Sequence, residues 1–392
     1  MGDGSLPGAD DMLALIRGLG DQVAEGWRLG CAAFAGGADG AFVAGDALAG
    51  DTLAFAPRPP HAGTRPDGVV VCGMGGSAIG ADLLRACLPD LPVPYEVVRD
   101  YDLPAWAGPS TLVVACSCSG NTEETLSCLR AAFDRGSRVV CIASGGAVAA
   151  VALEHGLQLV TVPACQSPRA AIGSLTMALA AVLSANGLVA GFAAEVDEAA
   201  ALLRAMVTEL DPAVPAAANV AKTLAASLHG RLTVVYGAGL TAPAARRWKG
   251  QINDNAKALA FFADLPELNH NEIMGWTSQP ELSAQTAAVL LVDPDADERL
   301  LHRIEFTADY LRGHLATVEV VTAGGESRLA RLATTLCLGD WVSYYLALLY
   351  AVDPTPVNAI EQFKARLAAA DLPSRSTPGA ADADLTRRAP RS

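Results

Sequence analysis

Basic residues are scarce in this chain of 392 residues. Lysine and arginine number 28 against 42 aspartate and glutamate residues, which gives a formal net charge of −14. This balance argues against nucleic acid or an anionic membrane surface as the main partner, because both attract proteins through clustered positive charge. An anionic ligand would therefore need a local site with its own donors.

The sequence shows no motif typical of a metal site or of an export signal. Cys116 and Cys118 are spaced C-x-C, but no second pair of cysteines or histidines accompanies them, so we expect no zinc site and no cofactor. The first residues are acidic and contain no basic region before an apolar core, so no secretory signal is expected. The nine cysteines lie mostly in apolar runs, which is typical of reduced thiols, and we expect a cytoplasmic protein.

One uncharged stretch covers residues 170–194. It is long enough to span a bilayer, which takes about 20 apolar residues. However, serine, threonine, asparagine and glycine interrupt it, and no basic flank follows. We therefore expect no membrane contact, but a buried helix that ends at Asn186-Gly187 and needs cover, such as a subunit interface.

An internal repeat divides the chain. Residues 69–85 read as an apolar strand, a glycine-rich turn and an amphipathic helix, and residues 233–249 read the same way. Two further strand-like segments follow in each half with matching order and spacing; they are 110–117 and 139–146, then 286–293 and 318–325. Strands that alternate with helices predict two doubly wound α/β domains, each with a parallel sheet flanked by helices.

The repeat and the composition together predict five segments. They are an N-terminal helical cover segment (1–60), a first phosphate-binding domain (61–194), a helical linker (195–229), a second domain (230–371) and a disordered tail (372–392). The tail is rich in proline, serine and charge and has no apolar periodicity, which is typical of disorder.

A glycine-rich turn, Gly73-Met74-Gly75-Gly76-Ser77, follows the first strand and opens a helix. The backbone N–H groups and the dipole of a helix N-terminus attract an anion at such a place. A nicotinamide cofactor is the less favoured interpretation, because the glycine spacing differs from that of the dinucleotide fingerprint.

A second turn, over residues 117–125, contains four hydroxyl side chains and a glycine. Hydroxyl and backbone N–H donors in such a turn can bind a phosphate without a cation. The alternative is a helix cap at Ser119 or Thr122, but capping accounts for one or two hydroxyls and not for four. The equivalent turn of the second half, 293–298, has acids in place of hydroxyls, so we expect only the first half to bind phosphate.

These motifs resemble a known family. The S-x-S-G-x-T-x-E-T segment is similar to the phosphate signature of sugar isomerase (SIS) domains, and G-M-G-G-S-A-I-G is similar to its partner loop. Further segments narrow the resemblance to the bifunctional phosphoglucose/phosphomannose isomerases, over about residues 69–367; they are 167–173, 253–257, 265–273, and 353–357 with Lys364.

The resemblance implies an enzyme that interconverts glucose 6-phosphate or mannose 6-phosphate with fructose 6-phosphate through a cis-enediol. It assigns the substrate phosphate to Gly76, Ser77, Ser117, Ser119 and Thr122. It makes Asp254 the base, while Arg169 stabilises the oxyanion and Lys364 contacts the ring-oxygen side. His270 would open the sugar ring in the neighbouring subunit's site, so the resemblance also implies a homodimer with shared active sites.

Position 254 departs from the family pattern. The family motif reads N-E-N-A-K, and the aspartate here is one methylene shorter, so we expect a lower rate, because a misplacement of about 1 Å can cost on the order of 10²-fold. Glu267 and Glu272 lie nearby in sequence and are candidates for a substitute base, or for an ion pair or solvated surface. A non-catalytic sugar-phosphate sensor and another SIS enzyme, such as an amino-sugar isomerase or deaminase, remain alternatives.

Overall fold

The computed structural model describes residues 8–35, 65–164 and 167–369. Within them the chain forms two parallel β-sheets. The strands are β1 (Gly68–Cys72), β2 (Tyr95–Val98), β3 (Thr111–Ser117), β4 (Arg138–Ala143), β5 (Gln158–Thr161), β6 (Leu232–Ala238), β7 (Ala260–Leu265), β8 (Thr286–Val292) and β9 (Thr317–Thr322). Strands β1, β3, β6 and β8 are almost fully buried, as expected for parallel sheets covered on both faces.

Helices connect the strands and cover the sheets. They are α1 (Ala9–Arg17), α2 (Leu19–Ala35), α3 (Gly75–Cys87), α4 (Glu123–Asp134), α5 (Gly146–Glu154), α6 (Ile172–Ala185), α7 (Ala193–Leu210), α8 (Val220–Leu228), α9 (Ala242–Ala256), α10 (Pro280–Ser283), α11 (Glu298–Arg312), α12 (Arg328–Leu349) and α13 (Asn358–Ala368). The prediction of two doubly wound sheets flanked by helices is confirmed.

The two sheets have equivalent strand orders. The first is β2-β1-β3-β4-β5 and the second is β7-β6-β8-β9, and every neighbouring pair is parallel. In each sheet the chain leaves the first strand toward one edge and then crosses to the other side. This reversal opens a crevice at the carboxyl ends of β1 and β3, and the corresponding place lies at β6 and β8. Ligands bind α/β sheets at such crevices.

The uncharged stretch after residue 170 forms α6, which is buried along almost its whole length. The helix ends at Ala185 with Asn186 as its C-cap, as predicted. Its cover comes from α2 of the same chain, where Gly26 and Gly30 allow close approach, since a Cβ on Gly30 would lie 2.4 Å from that of Ala181. The uncharged stretch is therefore no argument for a subunit interface.

One continuous apolar cluster contains side chains of both sheets and of α6, α7, α9 and α12. Helix α12 is long and apolar enough to cross a membrane, but 89% of its most apolar window is buried inside the protein. Helix α12 therefore has the burial of a core helix and not that of a membrane span.

The chain divides after Thr355 into two compact units, one with both sheets and the other with α13. The boundaries of the five predicted segments stay a prediction. Helices α7 and α8 lie in the segment predicted as a helical linker, and α7 ends at Leu210. Residues 36–60 of the predicted cover segment and the predicted tail from 372 lie outside the described residues.

Candidate active site

The glycine-rich turn after β1 brings its backbone close to a distant segment. Gly75 has φ of +51°, a left-handed conformation that strains other residues. A Cβ on Gly76 would lie 2.8 Å from the carbonyl oxygen of Pro168 and 3.2 Å from Cα of Arg169. The start of α3, where backbone N–H groups are not used within the helix, therefore packs directly against Arg169.

The hydroxyl turn after β3 contacts this first turn. Ser77 is buried, and its hydroxyl accepts a hydrogen bond from the backbone N–H of Cys118 at 3.3 Å. Ser117 is also buried; its hydroxyl lies 2.9 Å from that of Thr122 and accepts from the N–H of Gly120 at 3.1 Å. The predicted phosphate-binding residues of β1 and β3 thus lie in adjoining turns at one edge of the sheet.

Helix capping does not account for these hydroxyls. Thr122 is the N-cap residue of α4, yet its side chain makes no capping hydrogen bond and pairs with Ser117 instead. Ser119 is exposed, and its hydroxyl accepts from the N–H of Asn121 at 3.3 Å. A hydroxyl that accepts in this way still has its own hydrogen, which it can donate to an anion.

A third turn, after β4, supports the hydroxyl turn and was not predicted from sequence. Ser144 donates its hydroxyl to the carbonyl oxygen of Cys118 at 2.6 Å, and the N–H of Ala147 donates to Asn121 Oδ1 at 2.9 Å. The backbones at Gly120 and Gly145 lie so close that a Cβ on Gly120 would lie 1.8 Å from the carbonyl oxygen of Gly145. The glycine pair after β4 was the available signal.

Arg169 lies in a short 3-10 turn, Pro168–Ala170, and its guanidinium bonds to two other parts of the chain. Nε donates to Asn255 Oδ1 at 2.9 Å, and Nη2 donates to the carbonyl oxygens of Pro354 and Thr355 at 2.7 and 2.9 Å. These bonds join the predicted motifs around 169, 255 and 354.

Asp254 lies in the last turn of α9, beside Asn255 and partly buried. Burial raises the pKa of its carboxyl group above the ordinary value, and the positive charges of Arg169, Lys257, Lys249 and Arg247 oppose that rise. Arg169 and Asp254 therefore interact electrostatically, and a carboxylate with a raised pKa is suited to accept a proton.

Lys257 is the C-cap residue of α9. It has φ of +54°, and its ammonium group donates to the carbonyl oxygens of Asp254 at 2.6 Å and of Pro354 at 3.2 Å. Burial and the charge of Arg169 lower the pKa of Lys257. Sequence reasoning gave this lysine no role of its own, although it belongs to the quoted motif.

His270 lies on the surface after β7, in the 3-10 turn Glu267–His270, and its side chain is exposed. Glu272 accepts a hydrogen bond from the hydroxyl of Tyr236 at 2.5 Å, and the exposed Glu267 accepts from Asn271 Nδ2 at 2.8 Å. Both glutamates therefore have structural partners, which supports the non-catalytic interpretation of each.

Lys364 lies on α13, in the second compact unit. Its side chain is exposed, and its ammonium group lies 3.1 Å from a carboxylate oxygen of Glu361, one turn earlier. A role of Lys364 at the ring oxygen stays a prediction.

The second half has an ion pair at the equivalent turn. The buried guanidinium of Arg331 lies 2.7 Å from Asp293 Oδ1 and 2.7 Å from Asp295 Oδ2. The hydroxyl of Thr241 is buried and donates to the carbonyl oxygen of Leu291 at 2.8 Å. Carboxylates at this turn repel a phosphate, which supports the expectation that only the first half binds one.

Comparison with known proteins is consistent with this geometry. A model of the bacterial phospho-glucose isomerase C-terminal SIS domain matches residues 217–367. The bifunctional phosphoglucose/phosphomannose isomerase of Caldicellulosiruptor bescii is 40% identical over 304 residues, 77% of this chain and 90% of the relative. That of Aquifex aeolicus is 38% identical over 302 residues, 76% of this chain and 90% of the relative.

A solved structure supports the fold. A hypothetical protein from Thermus thermophilus superimposes with a TM-score of 0.67 at 16% identity, covering 93% of this chain and 90% of that one. At this identity the likeness bears on the architecture of the two sheets alone.

Proposed function

Because the chain belongs to the family of bifunctional phosphoglucose/phosphomannose isomerases, we propose that it interconverts glucose 6-phosphate and mannose 6-phosphate with fructose 6-phosphate. The observation that carries this assignment to particular residues is the packing of the Gly76 turn against Arg169, whose charge acts on Asp254. It supports a site in which the proposed phosphate-binding turn, the cation and the proposed base act together.

The proposed reaction begins with the phosphate at the carboxyl edge of the first sheet. It would receive hydrogen bonds from backbone N–H groups near Gly76 and from the hydroxyls of Ser77, Ser117, Ser119 and Thr122. These donors support a neutral binding site that needs no cation, which fits a chain with few basic residues. The phosphate would fix the other end of the sugar over Asp254.

The chemical step moves a carbon-bound proton from C2 to C1. The carboxylate of Asp254 removes the hydrogen on C2 of the open-chain aldose, and the C–H electron pair forms the C1–C2 double bond. The electrons of the carbonyl group move to the C1 oxygen, where Arg169 stabilises the negative charge. Return of the proton to C1, with transfer of the C2 hydroxyl proton to the C1 oxygen, yields fructose 6-phosphate.

The planar enediol explains a dual substrate range. Carbon 2 loses its stereochemistry in this intermediate, so glucose 6-phosphate and mannose 6-phosphate, which differ only there, give the same intermediate. Asp254 must then reach the C2 hydrogen from either epimer. A coupled assay of fructose 6-phosphate formation from each substrate tests the proposal, and failure of the wild-type protein with both would refute it.

A non-catalytic sugar-phosphate sensor is the alternative. The relatives are named as isomerases and give it no support. The partly buried carboxylate of Asp254, with its raised pKa, also favours an enzyme.

The proposal includes a homodimer in which His270 opens the ring in the neighbouring subunit's site. Strand β7 is an edge strand, and apolar side chains are exposed on it and on its flanks: Leu259, Phe261 and Met274 are 70%, 54% and 67% exposed. A second copy that covers this edge would also approach His270, a few residues further along the chain.

Light scattering at micromolar concentration tests the dimer. The wild type should have twice the mass of one chain, and Phe261→Glu should give a monomer. Phe306→Glu, at a phenylalanine on α11 that is 69% exposed, should leave the mass unchanged. A monomeric wild type would exclude the role of His270 in trans.

A cytoplasmic location is also proposed. Among the described cysteines all but Cys31 are buried, and all are free thiols, as in proteins of reducing compartments. Burial raises the pKa of Cys87, Cys116 and Cys141 to about 12, so these thiols stay protonated. Cell fractionation tests the location.

A further inference from the structure

The amide of Asn255 is fully buried in the last turn of α9, next to Asp254. Its Oδ1 accepts a hydrogen bond from Nε of Arg169 at 2.9 Å. The same guanidinium donates from Nη2 to two backbone carbonyl oxygens, those of Pro354 and Thr355. All three of these acceptors are uncharged.

The orientation of the Asn255 amide is determined by its partners. A guanidinium only donates, so the oxygen of the amide must face Arg169. The Nδ2 group then donates to the hydroxyl of Ser343 at 2.9 Å, and that hydroxyl donates to the carbonyl oxygen of Asp340 at 2.8 Å. The hydrogen bonds therefore run in one direction, from Arg169 to the middle of α12.

The side chain of Asp340 holds Arg169 by a second route. Arg247 donates from Nη2 to both carboxylate oxygens of Asp340, at 3.0 and 2.8 Å, and Gln251 donates to Oδ1 at 2.9 Å. Arg247 also donates from Nη1 to the backbone carbonyl oxygen of Arg169 at 3.1 Å. Residue 340 thus supports the main chain of Arg169 through a buried ion pair and its side chain through Ser343 and Asn255.

We propose that Asn255 is a positioning residue: it holds the guanidinium of Arg169 through a neutral acceptor, which adds no negative charge to compete with the developing enediolate. A carboxylate at the same place would fix the guanidinium equally well, but would pair with it and weaken its attraction for a second anion. The inference rests on the proposed isomerase function. Within that site, the amide of Asn255 would hold the cation in place.

The test compares the affinities of two sugar phosphates that do not react. Arabinonic acid 5-phosphate has a carboxylate where the enediolate charge develops, whereas sorbitol 6-phosphate is uncharged there. The substitution Asn255→Asp preserves shape and adds a charge. It should weaken binding of the acid about 10-fold or more, which corresponds to about 1.4 kcal/mol, and change binding of the polyol by less than about threefold.

A second variant separates this effect from the charge that Asn255→Asp adds near Asp254. Ser343→Ala removes the acceptor of the amide hydrogen and adds no charge. It should reduce the ratio of the affinity for the acid to the affinity for the polyol by a smaller factor than Asn255→Asp does. Asn219→Ala is the matched control, because this buried asparagine caps α8 by accepting from the N–H of Lys222. It should lower the melting temperature and leave the ratio unchanged.

The outcomes distinguish the inference from the function. If both compounds lose affinity equally in Asn255→Asp, or if Asn219→Ala changes the ratio as much, Asn255 is only structural and the inference is wrong. If the wild type binds both compounds but isomerises no sugar, the proposed function fails while the ratio still decides the role of Asn255. If it binds neither compound, both proposals fail.

Discussion

The hydroxyl groups of Ser117 and Thr122 lie 2.9 Å apart at the end of β3. Only one hydrogen lies between two hydroxyls that share a hydrogen bond, so the hydrogen of the other is available to a further acceptor. Ser117 also accepts from the backbone N–H of Gly120. The turn is therefore held by its own hydrogen bonds and still has donors for a phosphate.

Removing one hydroxyl donor should weaken sugar-phosphate binding. Ser119→Ala or Thr122→Val deletes a bond to a charged acceptor, worth roughly 1.5–3 kcal/mol. We expect Kd to rise about 10- to 150-fold, as measured by calorimetry with fructose 6-phosphate.

Thr241→Ala in the second half is the control for that experiment. Its hydroxyl is buried and bonds within its own turn, accepting from the N–H of Ala238 at 2.9 Å. The variant should be less stable by about 1 kcal/mol and bind the ligand as tightly as the wild type. Equal damage from Thr241→Ala and Ser119→Ala would show that the site is not confined to the first half.

Adding a methyl group at Gly76 should separate the phosphate turn from Arg169. The new Cβ would lie 2.8 Å from the carbonyl oxygen of Pro168, so the two segments must move apart. A displacement near 1 Å predicts a loss of turnover on the order of 10²-fold, measured as kcat. Gly108→Ala, where a Cβ meets no atom within 4 Å, should have wild-type kcat. A Gly76→Ala enzyme with full turnover would contradict the proposed contact.

The sheets could be predicted from sequence because parallel strands are continuous apolar runs. The repeat of residues 69–85 in 233–249 correctly identified β1 and β6 and the glycine-rich turns after them. Strand β2 was not identified, because Tyr95–Val98 is short and only partly buried and therefore lacks an apolar run. The cover of α6 by α2 was missed too, since glycines at a helix contact have no recognisable pattern in one sequence.

The site could be predicted only as separate motifs. The hydroxyls of β3 and the glycines of β1 carried a local signal, because their spacing suits an anion. The bonds from Arg169 to Asn255 and to Thr355 join residues separated by 86 and 186 positions, and a single sequence contains no pairing information over such distances. The role of Asp340 was missed for the same reason, since an acid within an apolar helix does not reveal its partner.

Activity and stability should respond oppositely to the ionisation of Asp254. Burial raises the pKa of its carboxyl group above the ordinary value of 3.8. A base acts when deprotonated, so kcat/KM should fall as pH decreases through this raised pKa. A pH profile with its acidic limb at or below the ordinary value would contradict Asp254 as the base.

The raised pKa of Asp254 implies that its ionised carboxylate destabilises the fold at neutral pH. Between the unfolded and folded pKa values the folded state binds more protons, so stability falls as pH rises through that window. The penalty is fully present above the folded pKa. Asp254→Asn should therefore melt at a higher temperature than the wild type at pH 7, and the difference should shrink at acidic pH. Calorimetric scans at both pH values measure it.

The buried pair of Arg247 and Asp340 should contribute strongly to stability. Their side chains are 3% and 6% exposed, so Asp340→Ala leaves a buried cation without its partner and should cost about 3–5 kcal/mol. Asp309→Ala is the matched control, because its pair with Arg312 lies on the surface and is worth about 0–1 kcal/mol. Urea unfolding measures both, and similar midpoints for the two variants would contradict the importance of the buried pair.

The central claim is that Asp254 removes the C2 proton of a sugar phosphate. It is tested most directly by the turnover of glucose 6-phosphate to fructose 6-phosphate in the wild type, Asp254→Asn and Asp254→Glu, with sugar-phosphate affinity measured in parallel. Asp254→Asn should lower turnover by about 10²- to 10⁴-fold and change Kd by less than about threefold. Asp254→Glu should raise turnover, because its side chain is longer by one methylene group and brings the carboxylate closer to C2. A robustly active wild type whose turnover survives Asp254→Asn would contradict the account.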